Sequence, residues 1–201
     1  IFLKEWMSLI ESKSGERGIF NRVAAKKQVE KLGDRRDPNY SFGTNPCSEI
    51  ILRDAEFCNL TEVVIRPDDK PETLREKVRL ATILGTWQAT LTNFRYLSKE
   101  WKKNCDEEAL LGVSLTGIMD NAYTNDTHYG INKKGLPKLL NELKELAVAT
   151  NKFHAKQLGI NPSASITCVK PSGTVSQLVD AASGIHTRHS PFYIRTVRGD
   201  K

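Results

Sequence analysis

An amphipathic run between strand-like segments limits this chain to a fold in which helices pack against strands. Apolar residues recur every three or four positions from 74 to 91, which predicts a long helix with one buried face. Pro71 and Glu72 lie in its first turn and favour a helix start. Strand-like runs follow at 110–115 and 165–169, and the second predicts a buried strand. This alternation predicts an α/β fold. The predicted buried face of the helix comprises Leu74, Val78, Ala81, Leu84, Trp87 and Leu91.

Three other segments carry helical patterns. Apolar spacing predicts a helix over residues 1–11, and Asn21 is a predicted N-cap for a short helix over 23–32. A third apolar stripe, over 139–150, predicts a helix that ends at Gly159, because glycine readily takes the left-handed conformation found at helix ends.

The remaining segments give weaker local signals. The run 49–64 is interpreted as two extended pieces, and 124–135 as a surface loop. Asn104 with Glu107 resembles a capping box, which predicts a helix start there. Gly117 predicts a close approach of two backbones. Gly112 is interpreted, like Gly117, as a close approach of two backbones. Tyr193 is interpreted as part of a strand core.

Three chemically useful side chains occupy alternate positions in the segment 45–49. Asn45 supplies an amide, Cys47 a thiol and Glu49 a carboxylate. In an extended backbone, alternate positions point to one side, so all three could face one substrate. Pro46 lacks a backbone donor and suits a loop or strand tip.

From the residues alone, the role of Cys47 stays open. A free thiol often packs as a small apolar side chain. A metal pair would place a second ligand two to four residues away, and the next cysteine is Cys58. A nucleophilic cysteine would need a histidine beside it in the fold. The candidate histidines are His128, His154, His186 and His189, and the other cysteines are Cys105 and Cys168.

The segment 45–49, with Cys58 beyond it, resembles the finger-loop motif of ribonucleotide reductases. Other blocks resemble the same family in the same order, at 11–22, 110–120, 170–177, 184–186 and 190–195. The last three blocks are most similar to the adenosylcobalamin-dependent (class II) reductases of ribonucleoside triphosphates.

The resemblance implies a radical mechanism at the cysteine motif. Cys47 would carry a thiyl radical that removes hydrogen from C3′ of the ribose, so that the 2′-hydroxyl can leave. Glu49 would act as the general base on the 3′-hydroxyl, and Asn45 would hold a substrate hydroxyl in place. Cys58 would be one half of the dithiol that supplies the electrons, its partner lying N-terminal to this chain.

The segment 170–177 is predicted to bind the substrate phosphates. It follows the predicted strand and precedes a short predicted helix, and unpaired N–H groups at such a turn attract anions. The same composition also occurs in turns that only cap a helix. The predicted substrate contacts are Pro46 and Ser48 in the finger loop, and Pro171, Ser172, Gly173, Thr174, Val175 and Ser176 in this turn.

The resemblance also implies a larger context. Residues 1–201 would be an interior piece of a single catalytic domain, a ten-stranded α/β barrel whose finger loop spans 44–50. The implied cofactor is adenosylcobalamin, and the implied partners are a ribonucleoside triphosphate substrate, a nucleotide effector and a thioredoxin-like reductant. The alternatives are a class I reductase with a separate di-metal subunit, a nucleotide-binding module without radical chemistry, and a thiol hydrolase.

Composition excludes several other classes of protein. The 201 residues are 39% hydrophobic and 27% charged, a balance typical of globular proteins. The net charge of +6 comes from basic residues scattered among acids, which disfavours nucleic-acid binding. There is no apolar run long enough for a membrane span and no signal-peptide pattern. Four cysteines suit a reducing cytosol. We therefore expect a cytoplasmic protein without membrane contact.

Overall fold

The chain divides into two compact units, Ile1–Asp54 and Ala55–Lys201. Each unit has its own buried residues and is described by itself. Whether the two belong to a single catalytic domain stays a prediction. The structure, a computed structural model, describes residues 1–13, 18–31, 35–129, 134–194 and 196.

The first unit consists of two helices and a hairpin. Helix α1 (Phe2–Ser12) and helix α2 (Arg22–Glu30) confirm the two predicted helices, although the predicted end of the second at Leu32 lies outside the described residues. Asn21 caps α2 as predicted, since its side chain accepts a hydrogen bond from the N–H of Ala24 at 3.0 Å.

The hairpin pairs strand β1 (Phe42–Thr44) with strand β2 (Ile51–Arg53) in antiparallel register. The guanidinium of the buried Arg36 lies 5.1 Å from the ring centroid of Phe42. The guanidinium of the buried Arg53 lies 4.6 Å from the ring centroid of Tyr40. Such cation–π contacts allow a small unit to bury charged groups beside its few apolar side chains.

The second unit is built on a parallel strand pair, which confirms the predicted α/β class. Strand β3 (Asn59–Val64) pairs with strand β4 (Leu111–Thr116). Their connection contains two helices, because a parallel pair needs a long crossover. The helices of this unit are α3 (Pro71–Gln88), α4 (Lys99–Glu108), α5 (Gly135–Leu158) and the four-residue α6 (Val175–Leu178), with a 3₁₀ turn at Ile118–Asp120.

Helix α3 confirms the predicted long helix but buries a different face near its end. Leu74, Val78 and Ala81 are buried as predicted. The other three predicted positions are wrong: Leu84, Trp87 and Leu91 are 56%, 53% and 72% exposed.

Small and polar residues replace those three on the inner face. A Cβ at Gly85 would lie 3.4 Å from the Leu111 side chain, so the helix approaches the sheet too closely for larger residues. Thr82 and Thr86 are fully buried because each hydroxyl donates to a carbonyl one turn earlier, at 2.7 Å. The Thr86 hydroxyl also accepts from the amide of the buried Asn151 on α5 at 3.0 Å.

The predicted buried strand at 165–169 is wrong. Among the described residues of this segment, only Thr167 forms a β-bridge, parallel to Val113, and the Thr167 side chain is exposed. Hydrogen bonds from Leu111 N–H to the Ser165 carbonyl (3.0 Å) and from Val113 N–H to the Ile166 carbonyl (2.8 Å) still attach the segment to β4.

Two other local interpretations are wrong. The predicted helix start at Asn104 lies inside α4, whose N-cap is Ser98, and the Asn104 amide instead approaches the Ala55 carbonyl at 3.4 Å. Tyr193 is 51% exposed and lies in irregular backbone rather than in strand core.

Two glycine predictions are confirmed. Gly159 ends α5 with φ of 69°. Gly117 has φ of 78°, and a Cβ there would lie 2.6 Å from the Ile65 carbonyl oxygen, so the backbones do approach closely. In the predicted loop 124–135, residues 130–133 lie outside the described part, and α5 begins at Gly135. Among the described helices, none is both long enough and apolar enough to cross a membrane.

Candidate functional site

The finger loop connects β1 to β2 and is closed by its own hydrogen bonds. Asn45 N–H donates to the Ile50 carbonyl at 3.3 Å, and Ile50 N–H donates to the Asn45 side-chain oxygen at 3.1 Å. The Asn45 amide nitrogen donates to Glu49 Oε1 at 2.6 Å. The amide and the carboxylate are therefore brought together at the base of the loop, while the prediction that both face one substrate stays a prediction.

The loop backbone differs from the extended form that we expected. Residues 46–48 form a turn, and Ser48 has φ of 62°, in the left-handed region. The turn arises because the antiparallel register of β1 and β2 requires the chain to reverse. Pro46, Cys47 and Ser48 are exposed at its tip, while Asn45 and Glu49 are half-buried. The Cys47 thiol is free and open to solvent.

Cys58 lies directly before β3 in the second unit. It is half-buried and not in a disulfide. It lines a cleft of about 310 Å³ together with Cys105, whose sulfur accepts a hydrogen bond from Phe57 N–H at 3.4 Å. No sequence pattern places Cys105 beside Cys58, because the two are far apart in the chain. Cys58 thus keeps a thiol accessible from a cleft.

The predicted phosphate turn begins beside β4 and is partly buried. Lys170 N–H donates to the Ser114 hydroxyl at 2.9 Å. Ser172 is 6% exposed, has φ of 53°, and its hydroxyl has no partner among the described residues. The Ser176 hydroxyl is buried and donates to the Ser172 carbonyl. The Ser176 hydroxyl therefore braces the turn, and the substrate contact predicted for Ser176 stays a prediction.

The exposed residues of this turn carry backbone N–H groups and the Thr174 hydroxyl. Gly173, Thr174 and Val175 are exposed. No described residue accepts a hydrogen bond from the N–H groups of Thr174 and Val175. Two adjacent N–H groups that are not used by the fold can bind the oxygens of an anion.

Sequence reasoning missed two residues that hold the chain after this turn. Asp120, at the end of the 3₁₀ turn, forms an ion pair with Arg188, and Arg188 also pairs with Asp180. The hydrogen bonds that the Arg188 guanidinium donates to these two carboxylates raise its pKa above the usual value. Asp120 is the last residue of the resembling block 110–120, and Arg188 lies between His186 and His189. Neither position in the sequence indicates that the two residues are in contact.

A polar cleft of about 540 Å³ lies between the turn and the segment 187–193. Gly173 and Gln177 form one wall, and the Tyr193 hydroxyl donates to the Gln177 side chain across it. The Arg188 side chain lines the cleft as well. Of the exposed turn residues, Gly173 faces this space, which could receive a ligand, whereas Thr174 and Val175 do not line it. No group of three or more potential metal ligands occurs within the described part of the chain.

Comparison with known proteins gives one consistent set of relatives. No protein-family model matches the chain. It is similar to the adenosylcobalamin-dependent ribonucleoside-triphosphate reductase of Lactobacillus acidophilus, at 29% identity over 209 residues and 92% of this chain. The corresponding protein of Lactobacillus helveticus is 31% identical over 210 residues and 92% of this chain, and that of Lacticaseibacillus paracasei 28% over 222 residues and 96%.

The likeness extends to the fold. A crystal structure of a B12-dependent (class II) ribonucleotide reductase superposes with a TM-score of 0.58 and 27% sequence identity, over 72% of this chain and 22% of that chain. The chain spans about 27% of the length of the relatives from the first two organisms. These matches confirm the resemblance predicted from the motifs. They do not test the roles of individual residues, which stay predictions.

Proposed function

We propose that this chain, a member of the ribonucleotide reductase family, provides the radical cysteine and the phosphate-binding turn of an adenosylcobalamin-dependent ribonucleoside-triphosphate reductase. The observation that carries this proposal is the finger loop. An exposed thiol at Cys47 stands between Asn45 and Glu49, whose side chains are hydrogen-bonded to each other at 2.6 Å. The matched relatives, which are named as enzymes of this kind, support it.

The cofactor supplies a carbon radical that can take the hydrogen atom of a thiol. An exposed, free thiol on a loop tip fits that chemistry, because the hydrogen donor must be reachable from outside the loop. The described residues thus provide the group on which the cofactor would act. We assign none of them to the corrin ring.

The loop residues would then act on the ribose. The Cys47 thiyl removes the hydrogen atom from C3′, and Glu49 accepts the proton of the 3′-hydroxyl. Asn45 donates to the Glu49 carboxylate and orients it, while its second N–H can hold a substrate hydroxyl. The 2′-hydroxyl leaves as water. Two thiols, one of them Cys58, supply two electrons and two protons and end as a disulfide, one proton leaving in the water and the other ending as hydrogen on C2′. Cys47 then returns the hydrogen atom to C3′, which regenerates the thiyl, and Glu49 returns the proton to the 3′-oxygen.

The phosphate turn would fix the nucleotide during these steps. The N–H groups of Thr174 and Val175 have no acceptor among the described residues, and the position that a Cβ would take on the preceding Gly173 is open. Pro171 and Ser172 shape the turn, and Pro46 and Ser48 shape the tip of the finger loop. A thioredoxin-like dithiol protein would regenerate the reduced cysteines, and a nucleotide effector is implied by the family resemblance.

The test is the Cys47→Ser variant of the full-length enzyme. A serine O–H bond is too strong to be broken and re-formed in each cycle, so nucleotide reduction should be lost. Exchange of label from the 5′ position of the cofactor into water should be lost with it, while triphosphate binding stays close to that of the unmodified enzyme. Exchange that persists in Cys47→Ser would contradict the assignment of the radical to this residue.

A further inference from the structure

The chain that follows the phosphate turn lies across the carboxyl end of β4. The Ala182 carbonyl accepts hydrogen bonds from Gly117 N–H at 2.8 Å and from the Thr116 hydroxyl at 3.1 Å. Gly184 N–H donates back to the Thr116 hydroxyl at 3.1 Å. Thr116 is fully buried, so these bonds are shielded from water. They attach the segment 180–188 to the sheet.

Asp120 and Arg188 also bind the segment 180–188 to the end of β4, through charged groups. Asp120 accepts from Ala182 N–H at 2.7 Å and from two guanidinium nitrogens of Arg188 at 2.9 and 3.1 Å. Arg188 also donates to the Asp180 carboxylate at 2.8 Å and to the Asp180 carbonyl at 3.0 Å. The Asp120 side chain is only 11% exposed. A two-pronged contact of this kind fixes orientation as well as distance.

The segment in turn contacts the phosphate turn at three points. The Ser183 hydroxyl donates to the Pro171 carbonyl at 2.8 Å, and Ala181 N–H donates to the Ser176 carbonyl at 2.9 Å. Gly184 has φ of 53°, and a Cβ there would lie 2.7 Å from the Lys170 carbonyl oxygen. A movement of the segment would therefore move the turn.

The phosphate turn depends on such support. Ser172 has a left-handed backbone, which costs about 1–2 kcal/mol for a residue other than glycine. Helix α6 has four residues, and a helix this short does not hold its shape alone. Neighbouring contacts must therefore keep the N–H groups of Thr174 and Val175 in place.

We propose that Asp120 and Arg188 are positioning residues that preorganise the phosphate turn for the polyphosphate of the substrate. This inference rests on the proposed function of the turn. Arg188 does not act as the phosphate ligand, because two carboxylates already match its charge. The pair holds the turn in place before the substrate arrives, so binding costs less conformational entropy. Loss of the pair therefore weakens binding of every polyphosphate.

The experiment compares variants of the full-length enzyme with a ribonucleoside triphosphate as substrate and inorganic tripolyphosphate as competitive inhibitor. In Arg188→Ala and Asp120→Asn, the KM and the inhibition constant should rise together by about tenfold, as expected for loss of a charged hydrogen bond. The kcat should be retained, because the proposed reacting groups, Cys47 and Glu49, are not changed. Arg188→Lys, which keeps the charge but not the fork, should have an intermediate effect.

Arg75→Ala is the matched control, because Arg75 also forms ion pairs with two carboxylates, Glu142 at 2.8 Å and Glu72 at 3.3 Å. These carboxylates lie on α5 and α3 and not on the segment that contacts the phosphate turn. Arg75→Ala should leave both constants unchanged. A fall in kcat and in melting temperature with unchanged constants in Arg188→Ala and Arg188→Lys would show a merely structural pair and overturn the inference.

A second comparison separates this inference from the proposed function. Gly173→Ala changes the turn itself. If it raises the KM while Arg188→Ala does not, the positioning role fails and the phosphate turn stands. If neither variant changes the KM, the phosphate turn fails, and the positioning role fails with it.

Discussion

A methyl group at Gly173 tests the phosphate turn without disturbing the fold. Apart from Gly173 and its two chain neighbours, no heavy atom of the described residues lies within 4 Å of the position that a Cβ would take, and the backbone of Gly173 is not in the left-handed region. Gly173→Ala should therefore keep or slightly raise the free energy of unfolding, by about 0.4–1 kcal/mol, because alanine restricts the unfolded chain.

The same methyl group should weaken binding of the triphosphate. It would occupy open space beside the N–H groups of Thr174 and Val175, where we propose that phosphate oxygens bind. Loss of one hydrogen bond to a charged group costs about 1.5–3 kcal/mol, and about 1.4 kcal/mol corresponds to tenfold in affinity. We therefore expect the KM to rise about 10- to 100-fold with kcat little changed.

The assay is steady-state reduction of a ribonucleoside triphosphate by the full-length enzyme, with thermal denaturation of the same samples. Gly18→Ala is the control, because a Cβ at Gly18 also meets no atom of the described residues within 4 Å beyond its chain neighbours. An unchanged KM in Gly173→Ala at an unchanged melting temperature would refute the phosphate role of the turn. A lower melting temperature would refute the structural reasoning about the open space.

Three other predictions concern the second unit. Asn121→Ala should lower the free energy of unfolding by about 2–4 kcal/mol in urea denaturation, because the fully buried amide donates to the Asp69 carbonyl at 2.8 Å; an effect under about 0.5 kcal/mol, the size of a surface change, would contradict it. Burial raises the pKa of Asp69, but hydrogen bonds, above all from Lys77, hold it below the usual value of 3.8. Asp69→Asn should therefore be less stable than the parent at pH 7, by a difference that shrinks as the pH falls below 3.8; a constant difference would exclude this ionisation as its source. Cys58→Ser should retain cofactor hydrogen exchange but fail in multiple turnover, whereas the control Cys105→Ser should turn over normally. Normal turnover of Cys58→Ser with a dithiol reductant would show that Cys58 is structural.

Local signals in the sequence predicted local structure well. Asn21 and Gly159 mark helix ends because a capping side chain or a left-handed residue acts within a few positions of itself. The apolar stripe of α3 failed towards its end because burial there depends on how closely the helix approaches the sheet. At Gly85 that approach favours small residues and hydroxyls, so Leu84 and Trp87 face outwards.

The site was predictable only where its residues are close in sequence. Asn45 and Glu49 do meet, but through a turn that the antiparallel strands impose rather than through an extended backbone. Asp120 and Arg188 are 68 residues apart, and their contact depends on the path of the chain after α6. No pattern of single residues indicates a contact at that separation.

The pairing of β3 with β4 has a consequence for how the protein is made. Asn59 on β3 reaches the Leu110 carbonyl, 51 residues later in the chain, beside the start of β4. During synthesis β3 leaves the ribosome first and has no partner strand from β4 until α3 and α4 have also been made. A strand with unpaired backbone groups can associate with other chains during that interval. Slower translation between β3 and β4 should therefore increase aggregation of the nascent protein, while the stability of molecules that do fold stays the same.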